Sequence, residues 1–192
     1  TKADGSVYGF ACPNNNNQAG WYNLIYGNNG YVISEDKKKS GMDLPASIEA
    51  MKWMEKMINE NLMPPQTVMT ESSEDVLLQS GKIAMAMQGS WMLPAFRDNE
   101  YTLKNCDIAM LPKNSKTGRR PSIYNGLGWA IAKNSSRTDD AWKLVEYFGS
   151  QEGQLKQAQL GITMSAYNNT SDAWKNGVPQ FMHREACSRA VF

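Results

Sequence analysis

The segment LQSGKIAMAMQGSW (78–91) ends in a tryptophan that is placed to stack on a flat apolar face. Gly81 is expected to end a short helix, residues 82–87 form an apolar strand, and Gln88-Gly89-Ser90 makes a tight turn before Trp91. Ligands of α/β proteins lie where a strand ends and a helix begins. Trp91 is therefore a candidate platform for a sugar ring. The alternative is a core tryptophan, since this residue type is highly buried on average.

Two further groups could bind hydroxyls. Residues 14–18 (NNNNQ) follow the first predicted strand, and their side-chain amides offer both donors and acceptors. The second group is the run Tyr124-Asn125-Gly126-Leu127-Gly128-Trp129, whose two glycines let a ligand approach the backbone closely. The alternatives are a solvated loop for the first group and a bulge or hinge for the second.

Several other chemistries lack the residues they need. A dinucleotide fingerprint over 126–131 fails at Ile131, and Lys82 is followed by Ile83 where a P-loop needs Ser or Thr. Glu71, Glu74 and Asp75 are local to one helix start, whereas a glycosidase needs two carboxyls facing each other across a cleft. No catalytic residue is therefore expected.

The histidine and cysteine content gives no support for a metal site. His183 is the only histidine, and Cys12, Cys106 and Cys187 show no CxxC spacing. One disulfide with one free thiol, or three free thiols, both remain open. No metal and no cofactor are expected.

The composition limits the possible partners. Twenty basic residues balance nineteen acidic ones in the 192 residues, which argues against binding to nucleic acid or an anionic membrane surface. No apolar run approaches the roughly 20 residues that span a bilayer. The chain starts at Thr1 rather than Met, which suggests a processed or excised piece of a longer product.

The candidate residues must be positioned by alternating strands and helices, which predicts an α/β fold. The clearest helix starts at Pro45 and runs to Asn61, with apolar residues at helical spacing. Ser72 is expected to cap the next helix. The other predicted elements are strands over 7–11, 107–111 and 123–132, and helices over 19–26, 90–96, 138–149, 150–160 and 172–176.

The order of these motifs resembles that of the extracytoplasmic solute-binding proteins of ABC sugar importers, the family 1 group that includes maltose-binding protein. The matching segments are WYNLIYGNNGY (21–31), SGKIAMAMQGSW (80–91), DIAMLP (107–112), IYNGLGWAIAKNS (123–135), DDAWKLVEYFGSQEGQ (139–154) and LGITMSA (160–166). The resemblance implies a periplasmic-binding-protein-like type II fold with two lobes. Residues 1–122 would form most of the second lobe, 123–165 would complete the first lobe, and 166–192 would return to the second, so the chain is expected to be a fragment.

The resemblance also assigns roles to single residues. Trp91 matches the sugar-stacking tryptophan, Asn17 and Gln18 match a ligand-facing loop, and Asn125, Gly126 and Gly128 match a hinge-side strand that touches solute. Tyr124 and Trp129 flank that strand and complete the set of expected ligand-binding residues.

The implied function is binding of a sugar or oligosaccharide and its delivery to the transmembrane subunits of an ABC permease. The location would be extracytoplasmic, in the periplasm or on a lipid anchor, which would be the only link to the membrane. A non-transport carbohydrate-binding or chemosensory module is the alternative, and a neighbouring permease gene would separate the two. A glycoside-active enzyme is a third class, which would require an opposed pair of carboxylates.

Overall fold

Helices dominate the part of the chain that the structure describes. The computed structural model describes residue 2, residues 4–13 and residues 18–178. Asn14–Asn17, His183 and Cys187, which the sequence analysis considered, lie outside these ranges. The helices among the described residues are α1 (Tyr22–Gly27), α2 (Pro45–Asn59), α3 (Gln66–Glu71), α4 (Glu74–Gln79), a 3-10 helix (Ser90–Met92), α5 (Leu93–Arg97), α6 (Glu100–Asn105), α7 (Thr138–Gly149), α8 (Gln151–Gln159) and α9 (Ser171–Gly177).

Two extended segments, 8–11 and 83–87, run parallel to each other. Tyr8 pairs with Ile83 and Ala11 pairs with Ala86. Gly9 and Phe10 donate their backbone N–H groups to the carbonyl of Leu62, so the loop after α2 joins the same pair. These segments coincide with the first two predicted strands, although the pairing is limited to isolated bridges. A further bridge, antiparallel, joins Ile33 and Ser40.

Two other predicted strands are wrong. Within the described residues, neither 107–111 nor 123–132 forms a β-bridge. An extended segment needs a neighbour for its N–H and C=O groups, and apolar composition alone does not supply one. The second segment is largely exposed, with Leu127 83% accessible. The expected regular α/β alternation is therefore only partly present.

The helix ends follow local signals in most cases. Pro45 occupies the first turn of α2, as predicted, and the side chain of Ser150 accepts a hydrogen bond from the Gly153 N–H at 3.1 Å at the start of α8. For α4 the prediction is off by one residue, because the residue before the helix is Ser73 rather than Ser72. Ser73 makes no side-chain capping bond there, so serine composition alone did not identify the cap.

The core packs around the parallel pair. Ala11 and Ile83 are 0% and 2% exposed and lie in one apolar cluster. Helices α3, α4, α5, α8 and α9, together with the residue after α9, add the rest of this cluster: Met69, Leu77, Leu78, Leu93, Phe96, Ala158, Trp174 and Val178. A second cluster, of Cys12, Met63 and Met87, continues along the pair toward its carboxyl end. The carboxyl end of the pair, which leads to the candidate site, is thus packed against buried side chains.

Large apolar side chains remain exposed on α7 and in the segment 124–129 that precedes it. They are Tyr124, Leu127, Trp129, Trp142, Leu144 and Tyr147, which are 44% to 83% exposed and are called here the α7 surface. Trp129 stacks on Phe148 with ring centroids 4.6 Å apart. No residue of α7 itself is buried, although the helix has an apolar face. Such a face is normally covered in a folded protein.

Candidate functional site

The ends of the parallel pair bring two chain segments to one edge. Ala11 donates its N–H to the Met85 carbonyl at 2.9 Å, and Met87 donates to the Ala11 carbonyl at 3.0 Å. Because the two segments run in the same direction, residues after Ala11 and residues after Met87 leave the pair at the same end. Met87 is followed at this end by the turn before Trp91. Of the loop candidates, Gln18 is described and exposed, whereas Asn17 lies outside the described residues.

Trp91 stands at this end with its ring accessible. It lies in the 3-10 helix that follows the turn, and 41% of its surface is exposed. A Cβ built on Gly89 would overlap the ring carbons Cη2 and Cζ3 of Trp91, so the six-membered part of the indole lies against Gly89. The absence of a side chain at Gly89 therefore lets the ring lie close to the backbone. The ring is neither packed in the core nor free of contacts.

A buried polar pair lies next to the turn that carries Trp91. The Gln88 side-chain Nε2 donates to Glu74 Oε1 at 2.7 Å, and the Gly89 N–H donates to Gln88 Oε1 at 2.8 Å. Glu74 is the first residue of α4 and is only 3% exposed. Sequence reasoning interpreted Glu74 only as a residue of a helix start and missed this contact. The only sequence signal was a glutamine directly before the Gly-Ser turn.

Burial changes the protonation of the groups near Glu74. Loss of solvent raises the pKa of Glu74 above its ordinary value, and the neighbouring charge of Asp75 adds to the effect, while hydrogen bonds from its own backbone and from Gln88 oppose it. Burial, together with the charge of Glu74, raises the pKa of Cys12 to about 12. The Cys12 thiol is therefore protonated at neutral pH and is a poor nucleophile.

The second predicted group lies in an exposed run of the chain. Tyr124 and Trp129 are 79% and 55% exposed, and a Cβ on Gly126 or Gly128 would meet no atom within 4 Å. The space next to these glycines is therefore open, and the close approach of a ligand stays a prediction. Asn125 is also exposed. Among the described residues, no hydrogen bond or ring contact connects this run to Gln88, Gly89 or Trp91.

The rest of the described structure shows no competing centre of the kinds considered. No group of three His, Cys, Asp or Glu side chains within the described ranges could hold a metal ion. Cys12 and Cys106 are both free thiols. In the same part of the chain, none of the helices has the length and apolar character required to cross a bilayer.

Comparison with known proteins decides the family. The model of the family "Bacterial extracellular solute-binding protein" matches residues 2–155. This chain belongs to that family. The resemblance to the maltose-binding-protein-like sugar receptors of ABC importers is thereby confirmed, and the family is one of solute-binding proteins rather than of enzymes.

A curated relative lies within the same group. Over 136 residues the chain is 25% identical to a maltotriose-binding protein of Pyrococcus abyssi (strain GE5 / Orsay). The match covers 69% of this chain and 29% of that protein. The chain thus spans less than a third of the length of this relative.

Solved structures with the same fold are sugar-binding proteins of ABC transporters. An ABC substrate-binding protein from Listeria monocytogenes, solved with cycloalternan, aligns with a TM-score of 0.75 and 18% identity, covering 99% of this chain and 48% of that one. A maltose-bound MalE3 from T. maritima gives a TM-score of 0.70 and 18% identity, covering 97% of this chain and 50% of that one. The chain therefore has the fold of a part of a periplasmic-binding-protein-type receptor and spans about half the length of these structures.

Proposed function

We propose that this chain carries the second-lobe part of the sugar-binding site of an extracytoplasmic receptor for an ABC importer. The observation that carries the proposal is the half-exposed Trp91 ring at the shared carboxyl end of the parallel pair. An exposed indole held against a glycine offers an apolar face of the size of a sugar ring, and neighbouring amides can bind the hydroxyls. Family membership supports the same assignment.

The proposed ligand is a glucose oligosaccharide. The proteins named for maltotriose, cycloalternan and maltose provide the support for this class. Trp91 would stack on one glucose unit, Asn17 and Gln18 would bind hydroxyls, and Tyr124, Asn125, Gly126, Gly128 and Trp129 would approach the sugar from the hinge side.

The proposed architecture is the two-lobed type II fold. Residues 1–122 would form the second-lobe core, 123–165 would complete the first lobe, and 166–192 would return to the second. The open α7 surface supports this division, because an apolar helix face requires a covering element. Sugar would favour the closed arrangement of the lobes through its better contacts in that state, and the closed form would dock on the permease subunits. The protein would act without catalysis, in the periplasm or on a lipid anchor.

Titration calorimetry with maltotriose tests the proposal, applied to the chain and to the intact gene product that carries it. We expect W91A to weaken binding at least about tenfold, since truncation of a central tryptophan typically costs about 2 kcal/mol or more. The matched control is W53A, which removes another half-exposed indole, 44% accessible on α2. We expect W53A to bind within about twofold of wild type. Equal losses in both variants, or no binding of maltotriose by folded wild-type protein, would contradict the proposal.

A further inference from the structure

Glu74 is buried where a surface carboxylate would be expected. Glutamate in the first turn of a helix normally remains in water, where it still interacts favourably with the helix N-terminus. Here the side chain turns inward, and its Oε2 has no hydrogen-bonding partner among the described residues. Burial of a charge with only partial hydrogen bonding is costly. The burial of Glu74 is not needed to anchor the helix, because the buried side chains of Leu77 and Leu78 already hold α4 against the core.

The carboxylate determines how the Gln88 amide is oriented. A carboxylate only accepts hydrogen bonds, so the NH2 group of Gln88 must face Glu74. The carbonyl oxygen of the same amide is then left for the Gly89 N–H, which it accepts at 2.8 Å. Gly89 in turn accepts the N–H of Met92 at 3.1 Å and supports the indole of Trp91. A continuous set of contacts thus leads from Glu74 to the stacking ring.

We infer that Glu74, acting through the Gln88 amide, is a positioning residue for the Trp91 sugar platform. The inference rests on the function proposed above and extends it to a residue that touches no sugar. We call the Glu74–Gln88–Gly89 contacts the brace. The brace fixes the turn that presents the ring, so ligand affinity depends on a hydrogen bond in the interior.

The electrostatic surroundings make the brace observable. Asp75 on α4 and Cys12 at the end of the first extended segment are the titratable groups coupled to Glu74. Because burial raises the pKa of Cys12 to about 12, this thiol stays neutral over the range in which a carboxylate titrates. No ion pair involves Glu74 within the described residues. Ionisation of Glu74 is therefore expected to shift the Gly89 amide resonance through the hydrogen-bonded Gln88.

Three variants test the inference. E74A removes the acceptor, E74Q keeps an oxygen that can accept from Gln88 but removes the titration, and E71Q is the matched control, because Glu71 is exposed on α3. Maltotriose affinity is measured by calorimetry. The Gly89 amide and the Trp91 indole N–H, the latter identified by its loss in W91F, are followed by NMR as the pH is raised.

We expect E74A to weaken maltotriose binding about tenfold and to move the Trp91 indole signal, whereas E74Q stays within about twofold. The Gly89 amide should titrate above the ordinary glutamate range in wild type and E71Q, and not in E74Q. If E74A does not fold, the comparison of the Gly89 titration in wild type and E74Q still decides whether the inference holds.

The two proposals fail in different ways. Wild-type affinity in E74A alongside a loss in W91A, or a Gly89 titration that persists in E74Q, overturns the brace and leaves sugar binding intact. If maltotriose does not bind to wild type, the sugar assignment fails, and the brace is judged by the NMR signals alone. An E74Q-sensitive shift of Gly89 and Trp91 then supports it, and its absence overturns it.

Discussion

At the scale of single residues, glycine is needed at position 89 because it has no side chain, and not because its backbone angles are unusual. Its φ of −85° and ψ of 158° are open to any residue. A Cβ at this position, however, would overlap the Trp91 ring. The glycine thus sets where the indole lies, while the turn itself does not depend on it.

The substitution G89A should therefore impair binding without unfolding the protein. We expect maltotriose affinity to fall about tenfold as the ring swings away, with the free energy of unfolding changed by less than about 1 kcal/mol. G126A is the control, because a Cβ there meets open space. Calorimetry and urea denaturation measure the two quantities. Unchanged affinity in G89A would show that the ring position is not set by this contact.

Glu74 should make stability fall as the pH rises. Its folded-state pKa lies above the ordinary value of 4.5, so the folded chain binds this proton more tightly than the unfolded chain. Below pH 4.5 both states are protonated and no penalty exists. As the pH rises through the folded-state pKa, ionisation of the buried group reduces the stability of wild type.

Comparison with E74Q isolates this effect. The unfolding free energy of E74Q relative to wild type should increase between pH 4 and pH 7, because the variant has no group to ionise. Urea denaturation at the two pH values measures the difference. E71Q should show no such trend, and a flat difference for E74Q as well would mean that Glu74 ionises in the folded protein as easily as in water.

At the scale of elements, the segment 83–87 carries both the core and the site. Ile83 is 2% exposed and lies in the core, whereas Met85, two residues further along the chain, is 60% exposed. Both residues belong to the same segment but differ in burial. Truncating each of them in turn therefore measures the effect of burial alone.

We expect I83A to cost about 2–5 kcal/mol of unfolding free energy, since a buried isoleucine leaves a cavity. M85A should cost less than about 0.5 kcal/mol, as expected for an exposed side chain. Chemical denaturation measures both values. Similar losses of unfolding free energy in the two variants would contradict the burial of Ile83 and the exposure of Met85 described above.

Local signals explain which elements the sequence predicted well. Proline at the start and an apolar stripe are properties of the helix itself, and α2 was predicted from Pro45 to Asn61 against Pro45 to Asn59 in the structure. The strand predicted at 123–132 failed because a strand also needs a partner, which its own composition cannot specify. Trp91 could be proposed from the sequence because its turn is contiguous in the chain. The hydrogen bond of Glu74 was missed because it is made with Gln88, fourteen residues away.

At the scale of the whole molecule, the α7 surface is the largest departure from an ordinary soluble domain. Aromatic and aliphatic side chains are exposed both in 124–129 and on α7. Large exposed apolar surfaces are typical of interaction sites. In the 192-residue chain by itself, the same surface should cause self-association.

Sedimentation velocity over a range of concentrations checks this expectation. Wild type should sediment increasingly faster than a 21.5 kDa monomer as concentration rises, and L127S/L144S should reduce the effect. I33S is the control, since Ile33 is exposed to a similar degree, 58%, outside this surface. A monomer at all concentrations would mean that the exposed side chains do not associate.

The buried thiol at the end of the first extended segment has a consequence for covalent chemistry. Cys12 is 2% exposed and holds its proton up to strongly alkaline pH, so alkylating reagents meet neither an accessible nor an activated sulfur. It becomes reactive only when the carboxyl end of the parallel pair separates. The chain thus carries an internal reporter whose labelling rate measures how often that end opens.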